Sequence, residues 1–205
     1  MKKILFILSF FWGTSSLVIA QEMKTLFIEA PDSVFPLLNK NLRVDCVDFL
    51  EAGMQYAVTN ALEGKSTLVA MTPDYMLLET SSASTMEVKK LPLGDGFIIC
   101  VVNTVVAEAS DSRAAFFDSS WRPISAHDLF TMPAIVDFFT SQSVAEEFLD
   151  LCEIYLVSLK LSADNADIVA EYTMPSYMNK EDAEKVLPHL QKIVYRWEGQ
   201  RFVKQ

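Results

Sequence analysis

The sequence predicts an α+β fold in which antiparallel meander sheets carry helices packed on one side. Candidate strands and candidate helices occur in separate runs along the chain, which favours α+β over alternating α/β folds. The connections between successive strands are short, whereas parallel strands need long crossovers. The order helices, strands, helices, strands divides an expected single domain over 21–205 into two possible similar halves, about 21–124 and 125–205.

The first predicted elements are two helices. The segment 31–33 offers Asp and Ser as N-cap residues for a helix that begins near Val34. A second helix is expected over 42–60, because apolar residues recur there at three- and four-residue steps. Gly64 then ends the helical region.

Five predicted strands follow, separated by turn residues. The strands are rich in β-branched and aromatic residues, and Pro, Gly, Asp and Ser occupy the connections. The predicted strands are Thr67–Met71, Tyr75–Thr80, Thr85–Leu91, Phe97–Val106 and Ala114–Phe117.

The second half begins with two more predicted helices. Ser125 with Asp128, and Ser143 with Glu146, have the spacing of helix capping pairs, and Pro133 keeps the two helices separate. The remaining predicted elements are strands over 155–161 and 168–172, a helix over 180–187 capped by Asn179, and a terminal hairpin of 193–197 and 201–204.

The first twenty residues have the layout of a secretory signal peptide. Lys2 and Lys3 precede an apolar segment over 4–12, and small or β-branched residues lead to Ala20. That segment is shorter than the roughly 20 apolar residues of a membrane-spanning helix, and no later segment reaches this length. We therefore expect cleavage near Ala20 and a periplasmic or secreted mature protein without an integral membrane segment.

Composition and charge narrow the range of partners. Hydrophobic residues make up 51% of the chain and charged residues 21%, which is typical of a globular protein and not of a disordered one. The formal net charge of −10 repels phosphate backbones and anionic lipid surfaces. Nucleic acid is therefore not an expected partner.

The three cysteines, Cys46, Cys100 and Cys152, each lie among apolar neighbours. Burial as small hydrophobic side chains is the favoured interpretation, and one disulfide among the three is the open alternative in a secreted chain. Together with the two distant histidines, His127 and His189, they lack the spacing of a zinc site. No metal and no cofactor are expected.

Aromatic residues in the two predicted hairpins provide the candidate binding residues. Trp, Tyr and Arg are enriched in the residues that contribute most to binding at protein interfaces. The candidates are Trp121, Tyr195, Arg196, Trp197 and Phe202. The alternative interpretation is that these side chains fill the core or cover a sheet edge.

His127 and Asp128 are the most reactive-looking pair of neighbours in the sequence. Adjacent residues on a helix do not face each other, and the sequence has no Gly-x-Ser-x-Gly nucleophile elbow. No catalytic residue is therefore assigned, and an enzyme is the less favoured interpretation.

Short motifs spread over most of the mature chain carry a resemblance to a known family. They are Pro36-Leu37-Leu38, Arg43-Val44-Asp45-Cys46-Val47-Asp48, Asn60 with Gly64, Thr72-Pro73-Asp74-Tyr75, Leu91-Pro92, and Phe116-Phe117-Asp118 with Trp121. With these motifs the chain resembles a family of secreted Bacteroidales proteins that share a domain of unknown function. The resemblance implies a secreted or envelope protein and supplies no catalytic residues.

These observations predict a secreted or periplasmic non-catalytic binding protein. The expected partner is an envelope protein, a peptide or a glycan, bound through the sheet or the aromatic hairpins. A hydrolase of an envelope or other polymer, using His127 or carboxylates, is the alternative. A carrier of small apolar ligands, with a cavity under the sheet, is the third hypothesis.

Overall fold

The computed structural model describes residues 23–205, so the predicted signal peptide lies outside the described residues. The larger of two sheets contains β1 (Val58–Thr59), β2 (Lys65–Met71), β3 (Tyr75–Ser81), β4 (Ser84–Leu93), β5 (Gly96–Val105), β6 (Asp111–Asp118) and β7 (Pro123–Ile124). The smaller sheet contains β8 (Val157–Leu161), β9 (Asp167–Tyr172), β10 (Ile193–Trp197) and β11 (Phe202–Lys204).

Both sheets are antiparallel meanders, because strands that are consecutive in the chain are also neighbours in the sheet. The described residues also contain four α-helices: α1 over 23–29, α2 (Lys40–Glu51), α3 (Gln142–Phe148) and α4 (Lys180–Val186). The predicted α+β class with antiparallel meander sheets is therefore confirmed. Within residues 23–205, no helix has the length and apolar character needed to cross a membrane.

The larger sheet is covered on both faces. On one face, Ile99 of β5 shares an apolar cluster with Cys46 of α2 and with residues of α1. On the other face, Cys100 of β5 shares a second cluster with Leu159 of the smaller sheet. Alternate side chains of β5 therefore enter different cores, which explains why the apolar run over 97–102 is continuous.

The structure corrects the prediction for α2. Asn39 caps the helix, and its side chain accepts a hydrogen bond from the N–H of Leu42 at 3.1 Å. The helix ends at Glu51 and does not reach residue 60. Gly53 has a left-handed backbone (φ +71°), and the N–H of Met54 returns to the carbonyl of Phe49 at 2.9 Å, as in a Schellman motif. The chain beyond forms β1.

Two other predicted helices are absent. Residues 31–38 form successive turns in place of the helix expected near Val34. Residues 126–130 form a single turn in place of the helix expected after Ser125. The other predicted helices are present, with one change of cap: Ser141, not Ser143, caps α3, and Asn179 caps α4 as predicted.

Candidate functional site

An open cleft of about 570 Å³ lies between the turns of residues 33–38 and the ends of strands β3 to β6. Buried apolar side chains, hydroxyl groups and a few polar or charged side chains line it. The lining residues that define its character are Phe35, Leu38, Leu78, Met86, Asn103 and Arg113. A concave surface that combines apolar and polar groups in this way is typical of small-molecule sites.

One row of paired residues crosses the floor of the cleft. Leu78 of β3 lies opposite Met86 of β4. Met86 in turn lies opposite Asn103 of β5, and Asn103 lies opposite Arg113 of β6. Directly paired residues of antiparallel strands project to the same face, so this row faces the helices. Because Leu78 and Met86 are buried while Asn103 and Arg113 are exposed, the floor changes from apolar to polar along the row.

A second row borders the cleft towards the strand ends. Ser84 lies opposite Val105, and Val105 lies opposite Asp111. Val105 is 60% exposed and adds apolar surface to the cleft. The carboxylate of Asp111 accepts a hydrogen bond from the N–H of Val157 at 3.3 Å, so this acid is engaged at the contact between the two sheets.

The wall formed by residues 33–38 is held in place by the buried guanidinium of Arg43. This group donates to the carbonyl oxygens of Leu38 at 2.6 Å, Ala30 at 2.7 Å and Ile28 at 3.1 Å. It also forms an ion pair with the exposed carboxylate of Asp32 at 2.9 Å. Arg43 therefore ties Leu38, at the end of this wall, to the end of α1 and to Asp32, and residues 31–38 form turns between these contacts.

Trp121 packs against Phe35 in the wall formed by residues 33–38. Its indole ring meets the ring of Phe35 edge-on, with centroids 5.8 Å apart. The indole N–H donates to the carbonyl of Leu26 at 3.1 Å, which joins the turn between β6 and β7 to α1. Trp121 therefore helps to position the cleft without lining it.

The other four candidate binding residues lie in the smaller sheet. Tyr195, Trp197 and Phe202 are buried in the contact between the sheets, with exposed fractions of 6–7%. The indole N–H of Trp197 donates to the carbonyl of Pro92 at 2.7 Å. Arg196 is exposed, with its Nε 3.8 Å from a carboxylate oxygen of Asp167. The aromatic side chains thus have the core-filling role that was the alternative interpretation, and the five residues do not form one accessible surface.

His127 is exposed and contacts its neighbour. Its Nδ1 lies 3.2 Å from the carboxylate of Asp128, contrary to the prediction that the two would diverge, because this segment is a turn and not a helix. Ser125 accepts a hydrogen bond from the backbone N–H of His127 at 3.4 Å, and its hydroxyl is not bonded to the imidazole. Among residues 23–205, no hydroxyl is hydrogen-bonded to the imidazole of His127, so the pair has no aligned nucleophile in this part of the chain.

The cysteines do not supply reactive groups. Cys46, Cys100 and Cys152 are buried and unpaired. Burial raises the pKa of all three thiols, that of Cys46 to about 11, which suppresses the reactive thiolate. Within the described residues, no group of three His, Cys, Asp or Glu side chains is close enough to hold a metal ion.

Asn103 and Arg113 are the residues that sequence reasoning missed. One signal was present in β5, where the positions facing the helices read Ile99, Val101 and then Asn103. A polar residue at the third position indicates that the helical cover ends there. Arg113 had no such signal, because its place beside Asn103 depends on the pairing of β5 with β6.

Comparisons with known proteins support the fold and the family. No curated protein matches this chain. It is similar to a solved structure described as "Structure of a domain of an uncharacterized protein from Porphyromonas gingivalis W83", with a TM-score of 0.74 and 24% identity over 90% of this chain and 99% of that chain. This similarity shows the fold alone, and it agrees with the Bacteroidales resemblance in the sequence.

Residues 15–202 match a family model described as "Protein of unknown function (DUF3256)". The chain therefore belongs to the DUF3256 family.

Proposed function

We propose that this protein is a non-catalytic binding protein and that the cleft between residues 33–38 and β3 to β6 is its ligand-binding site. The observation that carries the proposal is the floor of the cleft, which runs from buried Leu78 and Met86 to exposed Asn103 and Arg113. The cleft volume of about 570 Å³ lies within the range of roughly 300–1,000 Å³ that is common for small-molecule sites.

Three of the hydroxyl groups that line the cleft, those of Thr80, Ser84 and Thr104, have structural partners. The hydroxyl oxygens of Thr80 and Ser84 lie 2.7 Å apart, and those of Thr104 and Ser112 lie 2.8 Å apart. Among the described residues that line the cleft there is no histidine or cysteine to activate a nucleophile or to act as one. This chemistry favours binding over hydrolysis.

The aromatic side chains of the two hairpins are buried, so we do not place the proposed binding site at these hairpins. Binding through Tyr195, Trp197 or Phe202 would require the two sheets to separate, because these side chains lie between the sheets. The cleft is accessible without any rearrangement. Of the three sequence-based hypotheses, the cleft therefore favours the carrier of small apolar ligands, although the proposed site is an open cleft and not a cavity under the sheet.

The proposal is tested by titrating the protein with the neutral apolar fluorophore N-phenyl-1-naphthylamine. The blocking variant is Asn103→Trp, which places an indole over the polar end of the floor at an exposed position. We expect saturable binding with one site in the wild type, and at least tenfold weaker binding in this variant.

The matched control is Leu62→Trp, which adds an indole at a position that is 78% exposed and outside the cleft. Urea unfolding of each variant establishes that it is folded. Equal binding by the wild type and both variants would place the fluorophore elsewhere and contradict the proposed site. Absence of saturable binding in all three proteins would contradict the proposal of an apolar-ligand cleft.

We also propose that the protein acts outside the cytoplasm, in the periplasm or after release from the cell. Support comes from the sequence, where Lys2 and Lys3, the apolar segment 4–12 and the small or β-branched residues before Gln21 have the order of a signal peptide. The test is the intact mass of the protein recovered from the fractions of an expressing bacterium. We expect an exported form that begins at Gln21, and a full-length protein confined to the cytoplasm would contradict the proposal.

A further inference from the structure

We infer that the ligand of the cleft is an amphiphile with one apolar chain and a singly charged anionic head group, and that the head group binds Arg113 and Asn103. This inference rests on the proposed function and adds the chemical class of the ligand. It follows from the position of an unpaired cation at the polar end of a cleft whose other end is apolar.

Arg113 differs from most basic residues of the protein. Most of the others form short ion pairs, such as Lys40 with Glu29, Lys192 with Glu171, and Arg122 with Asp118, each at 2.7 Å. In the part of the chain that the structure describes, the side chain of Arg113 forms no hydrogen bond or ion pair, although the formal net charge of the protein is −10. A planar guanidinium in this state presents two parallel donors that fit a carboxylate.

Asn103 adds a second unused polar group at the same place. It lies directly opposite Arg113 in the pairing of β5 with β6, and its side chain has no hydrogen bond to another described residue. Directly opposed side chains in antiparallel strands begin about 5 Å apart, so one head group can contact both. The amide N–H groups of Asn103 are donors, as an anionic head group requires.

The apolar chain is accommodated at the other end of the floor. Leu78 and Met86 form the floor there, and Phe35 and Leu38 belong to the wall above it. Contact with these side chains favours a ligand whose affinity rises with chain length, by about fourfold for each methylene that becomes fully buried. The affinity stops rising when the chain fills the cleft.

Asp111 explains the preference for a single negative charge. This carboxylate lines the same cleft and lies two residues before Arg113 in the sequence. The cleft therefore contains one negative and one positive side chain. A doubly charged head group would gain from Arg113 and be repelled by Asp111 and by the acidic protein as a whole. A carboxylate neutralises Arg113 without adding excess charge.

The experiment measures displacement of N-phenyl-1-naphthylamine by three ligands with the same twelve-carbon chain, all below their micelle concentrations. They are laurate, dodecanol and dodecyltrimethylammonium. For the wild type we expect laurate to bind at least tenfold more tightly than the other two. For Arg113→Gln we expect laurate to weaken at least tenfold while dodecanol changes less than twofold.

Arg201→Gln is the matched control, because Arg201 is also exposed and lines a different cleft beside His127. It should leave the laurate preference unchanged. If the fluorophore binds in the cleft but the three ligands compete equally, the inference fails while the proposed function stands. The inference also fails if Arg201→Gln, and not Arg113→Gln, removes the preference.

Discussion

The hydroxyl oxygen of Tyr75 lies 2.7 Å from a carboxyl oxygen of Glu87, and both side chains are buried where the two sheets meet. The second carboxyl oxygen of Glu87 accepts a hydrogen bond from the N–H of Leu161 at 3.4 Å. On the same strand, the N–H of Leu159 donates to the hydroxyl of Ser112 at 2.9 Å. Side chains of the larger sheet thus satisfy the N–H groups that β8 would otherwise leave unpaired at its edge.

Replacing Glu87 by Gln is expected to stabilise the protein at neutral and alkaline pH. Burial raises the pKa of Glu87 more than the hydrogen bonds from Tyr75 and Leu161 lower it. Since the folded protein favours the neutral carboxyl, its stabilising contribution is complete below the pKa of the unfolded chain. The contribution is lost as the pH rises through the pKa of the folded state. Gln keeps the shape and the hydrogen-bonding capacity without the charge.

The measurement for Glu87 is the free energy of unfolding in urea between pH 4 and pH 8. The variant should exceed the wild type at pH 8, and the difference should shrink towards zero at pH 4. Glu79→Gln, at an exposed position of β3, controls for the loss of one negative charge. A variant that is less stable than the wild type at pH 8 would show that the ionised carboxylate stabilises the fold.

Replacing Ser112 by Ala is expected to destabilise the protein by about 1–3 kcal/mol, which is the usual cost of a buried N–H group without an acceptor. The hydroxyl of Ser112 is the acceptor for Leu159 N–H and also bonds to the hydroxyl of Thr104. Urea unfolding gives the loss, and amide hydrogen exchange at Leu159 should accelerate. Ser158→Ala, on the other face of β8, should change stability by about 0.5 kcal/mol or less, because this half-buried hydroxyl has no hydrogen bond to another described residue.

Replacing Arg43 by Met is expected to cost about 3–5 kcal/mol of stability, because it leaves several buried carbonyl groups without a donor. The comparison is Asp32→Ala, which removes the exposed partner of the same ion pair. Because Asp32 is 70% exposed and Arg43 keeps its carbonyl contacts in this variant, the loss should be only about 1 kcal/mol. Equal losses in the two variants would show that the ion pair, and not the carbonyl contacts, holds the segment.

Much of the larger sheet was predictable because turn residues mark its strands. Gly94, with a left-handed backbone (φ +56°), lies between β4 and β5, and the strands on either side were predicted within two residues. The helical region was less predictable. Gly53 marks the true end of α2, but the apolar periodicity continues past it, and the two-residue strand β1 has too few residues to show a period.

The site was less predictable than the fold because its features depend on contacts between distant parts of the chain. Trp197 and Phe202 are aromatic residues of the kind that is frequent in protein interfaces. In the structure they pack between two sheets that only the folded chain brings together. From the sequence alone, Arg43 would be expected to lie on the solvent-exposed face of an amphipathic helix. Its burial depends on the carbonyl groups of residues 28–38, which it contacts through the fold.

The three cysteines are expected to be unreactive in the folded protein and free in the unfolded one. Burial raises the pKa of each thiol, and a thiol with a pKa of about 11, as for Cys46, is only on the order of 0.1% ionised at pH 8. A thiol reagent such as dithionitrobenzoate should therefore release no signal from the native protein and three equivalents after unfolding in urea. Ser119→Cys, which adds one thiol in an exposed turn, should release one equivalent under native conditions. Recovery of a single equivalent from the unfolded wild type would reveal a disulfide and contradict the free cysteines of this structure.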